Sequence, residues 1–166
     1  MQEQRLWEVT SAARNLMEKA RYCSLITRSR GHGLRARLMD PFPPGSELTV
    51  WQGTHRKSRK VREIENDPDV LLTYHDHQGL GYVALNGVAE LRSSPSERRA
   101  HWKSDWRPFY PEGPEAADFL ALAVVPQRIE VVSYDQGVAS DPLAWRPAVL
   151  WREDEQWFLD EPPPRR

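Results

Sequence analysis

Thr54, Ser58, Arg59 and Lys60 are the residues of this chain whose types and spacing could do chemistry together. Two hydroxyls and two cations so close in sequence are the parts of an anion site. Their setting strengthens that reading. Ser58 to Glu65 reads as a short helix with Ser58 as N-cap and Val61 and Ile64 facing inward, and Asn66-Asp67-Pro68 stops it. Arg59 and Lys60 then fall in the first turn, at the positive end of the helix dipole, where cations are unfavourable. A bound anion resolves the conflict, because a helix N-terminus also offers free N–H groups. Spacing alone equally describes a solvated basic helix face, and by itself ranks that plainer reading first.

Three pieces of sequence change the ranking. The segment Thr54-x-x-x-Ser58-Arg59-Lys60 with its Ile64-Glu65-Asn66-Asp67-Pro68 ending resembles the flavin-phosphate segment of the pyridoxamine 5′-phosphate oxidase-like split barrels. Arg35-Ala36-Arg37-Leu38-Met39-Asp40 upstream and Gly81 to Leu91 downstream resemble the flanking strands of that family, in family order and spacing. The resemblance runs from about Tyr22 to about Ser133. The run Met39-Asp40-Pro41-Phe42 and the tryptophans near Trp102 look most like its general stress protein branch.

The resemblance implies a fold, a cofactor and a site. The fold is mainly β (α+β), an antiparallel split β-barrel of about six to seven strands with flanking helices. The cofactor is FMN, with haem or deazaflavin as the alternatives. Arg37, Arg59 and Lys60 would pair with its phosphate, and Thr54 and Ser58 would donate hydroxyl hydrogen bonds. The backbone at Leu38, Met39 and Gly53 would meet the ring or ribityl chain. Tyr82 falls where the oxidases carry a glutamine near the ring, and a phenol cannot reproduce an amide's contacts there. The implied function is an FMN-binding oxidoreductase-like protein of unknown substrate, with a stress-related role. The alternative is a non-catalytic flavin-binding or sensor protein on the same dimeric barrel, with the cofactor near the subunit interface. A third reading leaves the site empty and the basic helix on the surface.

No catalytic side-chain constellation accompanies the site: the chain has no Gly-x-Ser-x-Gly, no His-Glu-x-x-His and no P-loop. A flavin tolerates that, since it carries the redox chemistry itself. The oxidases also close a C-terminal tryptophan and arginine on flavin and substrate. Trp145 and Arg146 are adjacent and not spaced as that pair is, so the chain diverges from Asp135 onward and pyridoxamine phosphate oxidation is disfavoured.

The remaining elements must position these residues. At 166 residues and a formal net charge of −1 the chain suits one domain and no nucleic-acid partner. The expected domain is 1–160, followed by a proline-rich tail, 161–166, that reads as disordered or extended. The start lacks a signal peptide's apolar run and no stretch reaches membrane-spanning length, so the expected location is the cytoplasm. Cys23, the single cysteine, reads as a buried small residue rather than a nucleophile.

Leu6 to Arg21 has helical periodicity. Strands are expected at Tyr22–Thr27, Leu34–Asp40, Glu47–Trp51, Asp69–His75 and Leu80–Arg92, with Gly81 and Gly87 as bulge or close-approach positions. Ser94-Pro95-Ser96-Glu97 opens another helix. Residues 119–125 and 128–134 read as two strands split by Pro126-Gln127, and Trp151 to Leu159 as an extra hairpin or edge strand. His75, Asp76 and His77 invite a metal reading, but a surface turn, Asp76 to Gly79, is the better account. Trp102, Trp106, Phe109 and Tyr110 read as core or subunit interface.

Overall fold

The computed structural model describes residues 1–45, 47–138 and 146–159. Eight strands form one antiparallel sheet in the order β2-β1-β4-β5-β6-β7-β8, with β3 paired to β6. In chain order these are β1 (Cys23–Ser29), β2 (Gly33–Met39), β3 (Val50–His55), β4 (Asp69–Asp76), β5 (Gly81–Arg92), β6 (Phe119–Ser133), β7 (Ala148–Glu153) and β8 (Gln156–Leu159). Helices α1 (Gln2–Ala20), α2 (Arg59–Asn66) and α3 (Pro95–Ala100) flank them.

Helix α1 begins four residues before its apolar periodicity does. The added turn is made of strong helix formers, carries Glu3 at its positive end and is tied by an Arg5–Glu8 pair at 3.2 Å. Its apolar face, Val9, Ala13, Leu16 and Met17, is fully buried in one cluster with Leu25, Leu85 and other inward side chains of the sheet. Arg21 is the C-cap rather than the last helical residue, in the left-handed region at φ 63°.

Two strand expectations are corrected. The strand expected at Glu47–Trp51 starts only at Val50 and runs on to His55. Leu48 is fully buried at φ 57° and its N–H donates to Gly45 O at 3.0 Å, so a turn occupies the alternating run that resembled a strand. The two strands expected around Pro126 are one, β6. Pro126 stands opposite Gly87, where the β5–β6 register shifts and Gln127 has no counterpart, so the missing N–H falls in a bulge. On the other edge, β3 pairs with Phe119–Val124 and β7 with Arg128–Val131, leaving Pro126 between two neighbours. Gly87 is required there: a Cβ would stand 2.5 Å from the Val125 carbonyl oxygen.

Other local readings agree. Ser94 Oγ accepts from Glu97 N at 3.3 Å and donates to Glu97 Oε2 at 2.6 Å, a capping box at the start of α3. Asp76 Oδ1 accepts from the amides of Gln78 and Gly79, which makes 76–79 a turn. β7 and β8 form the extra hairpin, with Asp154 and Glu155 at positive φ in its tight turn. Cys23 is buried, which pushes its thiol up to about 12. No helix among the described residues is long and apolar enough to cross a membrane. Trp145 and residues 161–166 lie outside the described residues.

Candidate functional site

The site is built where β3 turns into α2. Arg56 N donates to Asp118 O at 2.7 Å, Ser58 N to His55 O at 2.9 Å, and Lys57 N to His55 Nδ1 at 3.1 Å. These three bonds fix the turn and set Ser58 at the N-cap. Its hydroxyl does not cap the helix; it lies 3.3 Å from Thr54 Oγ1. The first turn of α2 therefore has no side-chain cap and no acidic residue, and it carries Arg59 and Lys60. A polarised helix end without its usual anionic partner is open to an external one.

Beside it lies a groove of about 470 Å³. Leu38, Met39 and Asp40 from the end of β2 form one side, and Gly53, Thr54 and His55 of β3 form the floor with Lys60. Trp106, Phe109 and Tyr110 wall the far side. The aromatic segment is anchored by edge-on packing on the fully buried Phe119, at 5.2 Å from Trp102 and 5.1 Å from Tyr110 between ring centroids. Phe109 is left 75% exposed at the rim.

Lys60 is the least compensated group in the groove. It is half-buried, and among the described residues no hydrogen bond or ion pair is made by its ammonium. Burial lowers its pKa, the nearby Arg37 charge lowers it further, and Glu63 opposes both. Arg37, from β2, is held differently: Nη1 donates to Thr27 Oγ1 at 2.5 Å and Nη2 to Glu63 Oε2 at 2.7 Å. Arg35 reaches the same carboxylate at 3.1 Å. Burial would raise the Glu63 carboxyl, but hydrogen bonds from Thr27 and Arg37 and the two arginine charges hold it below the usual carboxylate range.

The other ionisable groups of the groove are engaged. Asp40 accepts from Lys103 at 3.0 Å, and His55 Nε2 lies 3.5 Å from Asp118 Oδ2. Burial and the Asp118 charge push the Tyr110 phenol up to about 12.

Of the residues singled out by sequence, Leu38, Met39, Gly53, Thr54 and Lys60 line the groove together. Ser58 stands behind Thr54, Arg59 is exposed beside the helix end, and Arg37 is one layer back with Glu63. Tyr82 is elsewhere. It lines a separate cavity of about 330 Å³ with His75, Leu80, Tyr134 and Arg146. Sequence reasoning did not pick out Glu63, His55 or the groove-forming role of Trp106 to Tyr110. Glu63 could have been found, because it is three residues beyond Lys60 and so shares its helix face. His55 depends on the β3–β6 pairing, which is not local in sequence.

Residues 8–140 match the family model described as pyridoxamine 5′-phosphate oxidase like. The chain belongs to that family. General stress protein 26 of Bacillus subtilis (strain 168) is 29% identical over 113 residues, covering 66% of this chain and 78% of the relative. Among solved structures, a Clostridium acetobutylicum protein related to general stress protein 26 superposes with TM-score 0.68 at 17% identity, covering 81% of this chain and 92% of the other. The general stress FMN/FAD binding protein of Xanthomonas citri does so with TM-score 0.67 at 14% identity, covering 76% and 89%. The antiparallel sheet with its flanking helices is the split barrel of the pyridoxamine 5′-phosphate oxidase-like family.

Proposed function

We propose that the chain is an FMN-binding, oxidoreductase-like protein of the general stress branch, working in the cytoplasm as a homodimer. The observation that carries this reading is Lys60: a half-buried cation with no hydrogen-bond or ion-pair partner among the described residues, at an uncapped helix N-terminus, in a groove large enough for a cofactor. In this reading Lys60, Arg59 and Arg37 pair with the phosphate, with hydroxyl hydrogen bonds from Thr54 and Ser58. The backbone at Leu38, Met39 and Gly53 meets the ring or ribityl chain, opposite the wall of Trp106, Phe109 and Tyr110. Bound flavin would supply the electron transfer, and the protein would supply position and electrostatics. Tyr82, in its separate cavity, contributes only if a second copy brings its own Tyr82 to the groove.

Titrating FMN and riboflavin into wild type and into Arg59→Ala/Lys60→Ala tests it. Charge-assisted contacts of about 1.5–3 kcal/mol each predict FMN binding at least about a hundredfold weaker in the double variant, with riboflavin unaffected. Equal FMN affinities, or riboflavin bound by wild type as tightly as FMN, overturn the assignment.

A specific observation favours a second reading, in which the flavin or another cofactor is held without turnover. Asp40 is held by Lys103 and burial pushes the Tyr110 phenol up to about 12, so neither is a free acid or base facing the groove. Anaerobic stopped-flow reduction by NADH and NADPH separates the two. Reduction faster than that of free FMN supports the oxidoreductase. Reduction no faster than free FMN, after a wider donor screen, supports the binding or sensor role.

A further inference from the structure

Glu63 is an acid in a basic site. Its side chain is 7% exposed, and it takes three donors from two strands: Thr27 Oγ1 at 2.5 Å, Arg37 Nη2 at 2.7 Å and Arg35 Nη1 at 3.1 Å. It sits on α2, the helix whose first turn carries Arg59 and Lys60. The edge of the Arg37 guanidinium formed by its two terminal nitrogens is thus engaged, with Nη1 spent on Thr27 and on the Arg35 carbonyl at 3.3 Å and Nη2 on Glu63. The other edge is different: Nε–H and the second Nη2 proton have no partner among the described residues. Two parallel N–H groups on one planar edge match a bidentate oxyanion.

We propose that Glu63 is a positioning residue, which locks one edge of Arg37 to α2 so that the other edge is presented to the anion held by Lys60. The assignment rests on the phosphate reading given above and adds a residue to it. Two effects of Glu63 on an anion oppose each other. Its negative charge lowers the positive potential of the site, so removing it would tighten binding. Its hydrogen bonds order a long side chain that would otherwise lose rotamer freedom on binding, so removing them would weaken it. With Arg37 bound through two charge-assisted contacts, orientation is the larger effect.

The test is Glu63→Gln, with Thr27→Val as a milder variant that removes one support while keeping the charge. Two quantities are read: the affinity ratio of FMN to riboflavin, and the side-chain NMR signals of Arg37, whose Nη protons are resolved only when rotation is restricted. For Glu63→Gln the expected result is a loss of about tenfold or more in the FMN-to-riboflavin ratio, with riboflavin affinity constant. Averaged Arg37 signals should accompany it, with Thr27→Val intermediate in both. Tighter FMN binding by Glu63→Gln, or an unchanged ratio, overturns the proposal. If Glu63→Gln does not fold, the Thr27→Val result decides by the same criteria. If wild type binds FMN and riboflavin alike, the phosphate reading fails. The Arg37 signals in the variants then decide alone whether Glu63 fixes that side chain.

Discussion

Gly53 and Trp106 occupy one space: a Cβ on Gly53 would stand 2.6 Å from Cζ3 of Trp106 and 2.9 Å from Cε2 of Phe119. The glycine thus serves the aromatic wall as well as the groove floor. Gly53→Ala should overpack this contact and cost about 1–3 kcal/mol of stability. It should also push Trp106 toward the groove, changing tryptophan emission and weakening flavin binding. Denaturant unfolding and fluorescence check this; an alanine variant as stable as wild type, with unchanged emission, would refute it. Trimming the wall with Trp106→Leu in the same chain should recover part of the lost stability, because the space is shared.

Gln52 gives a prediction with the opposite sign. It is fully buried between Val50 and Thr54 on β3, and neither Oε1 nor Nε2 has a hydrogen-bond partner. A buried amide left unpaired costs about 1–3 kcal/mol, so Gln52→Met, close in volume, should stabilise the protein by an amount of that order. Chemical denaturation of both proteins measures it. A destabilised methionine variant would mean that the amide is satisfied in solution, for instance by an internal water.

The two substitutions also mark what was legible in the sequence. The candidate site was readable because its hydroxyls and cations are local: strand end, turn and first helical turn follow one another, so Thr54 and Lys60 could be joined before any tertiary contact was known. Cap signals and periodicity placed α2, β4, β5 and the start of α3 within a residue or so. It failed for Glu47–Trp51, where an alternating pattern covers a turn with a buried Leu48, and at Pro126, which reads as a break until the bulge opposite Gly87 is seen. The aromatic wall and the Glu63–Arg37 pair depend on long-range pairing, which no local pattern encodes.

Lys60 should trade stability for binding. Burial first, and the Arg37 charge second, lower its pKa from 10.5 in the folded chain. The folded state therefore binds the Lys60 proton less tightly than the unfolded chain. This cost to folding is present at neutral pH and relieved as pH rises through the depressed value toward 10.5. Lys60→Met should raise the melting temperature of the ligand-free protein near neutral pH, by a margin that narrows on going alkaline. The same variant should weaken FMN and leave riboflavin unchanged. Differential scanning fluorimetry across pH, beside the two titrations, checks both halves. A melting temperature that falls would mean that Lys60 has a stabilising partner in solution.

The last prediction concerns the outer face of the sheet. The register puts Leu34, Ala36 and Leu38 of β2 on one side with Ile26 of β1, Leu71 of β4, Ala84 and Tyr82 of β5 and Val132 of β6, interspersed with polar and charged residues such as Ser24, Arg28, Thr73, Asn86, Arg128 and Glu130. Leu34 is 65% and Leu38 73% exposed, and β2 is a sheet edge. Exposed aliphatic side chains on an open edge strand are what a second copy covers, and a twofold axis would apply the same patch from both sides. Leu38 lies on this face and also lines the groove, while Tyr82 lies on it away from the groove. A partner seated there would bring its Tyr82 toward the groove of the first copy. Wild type should therefore sediment as a dimer at micromolar concentration. Leu71→Lys, which puts a charge in the centre of the patch, should shift it to monomer and weaken FMN binding together. Wild type sedimenting at monomer mass with FMN present would remove the dimer. A dimeric Leu71→Lys protein with full FMN affinity would move the interface to another face.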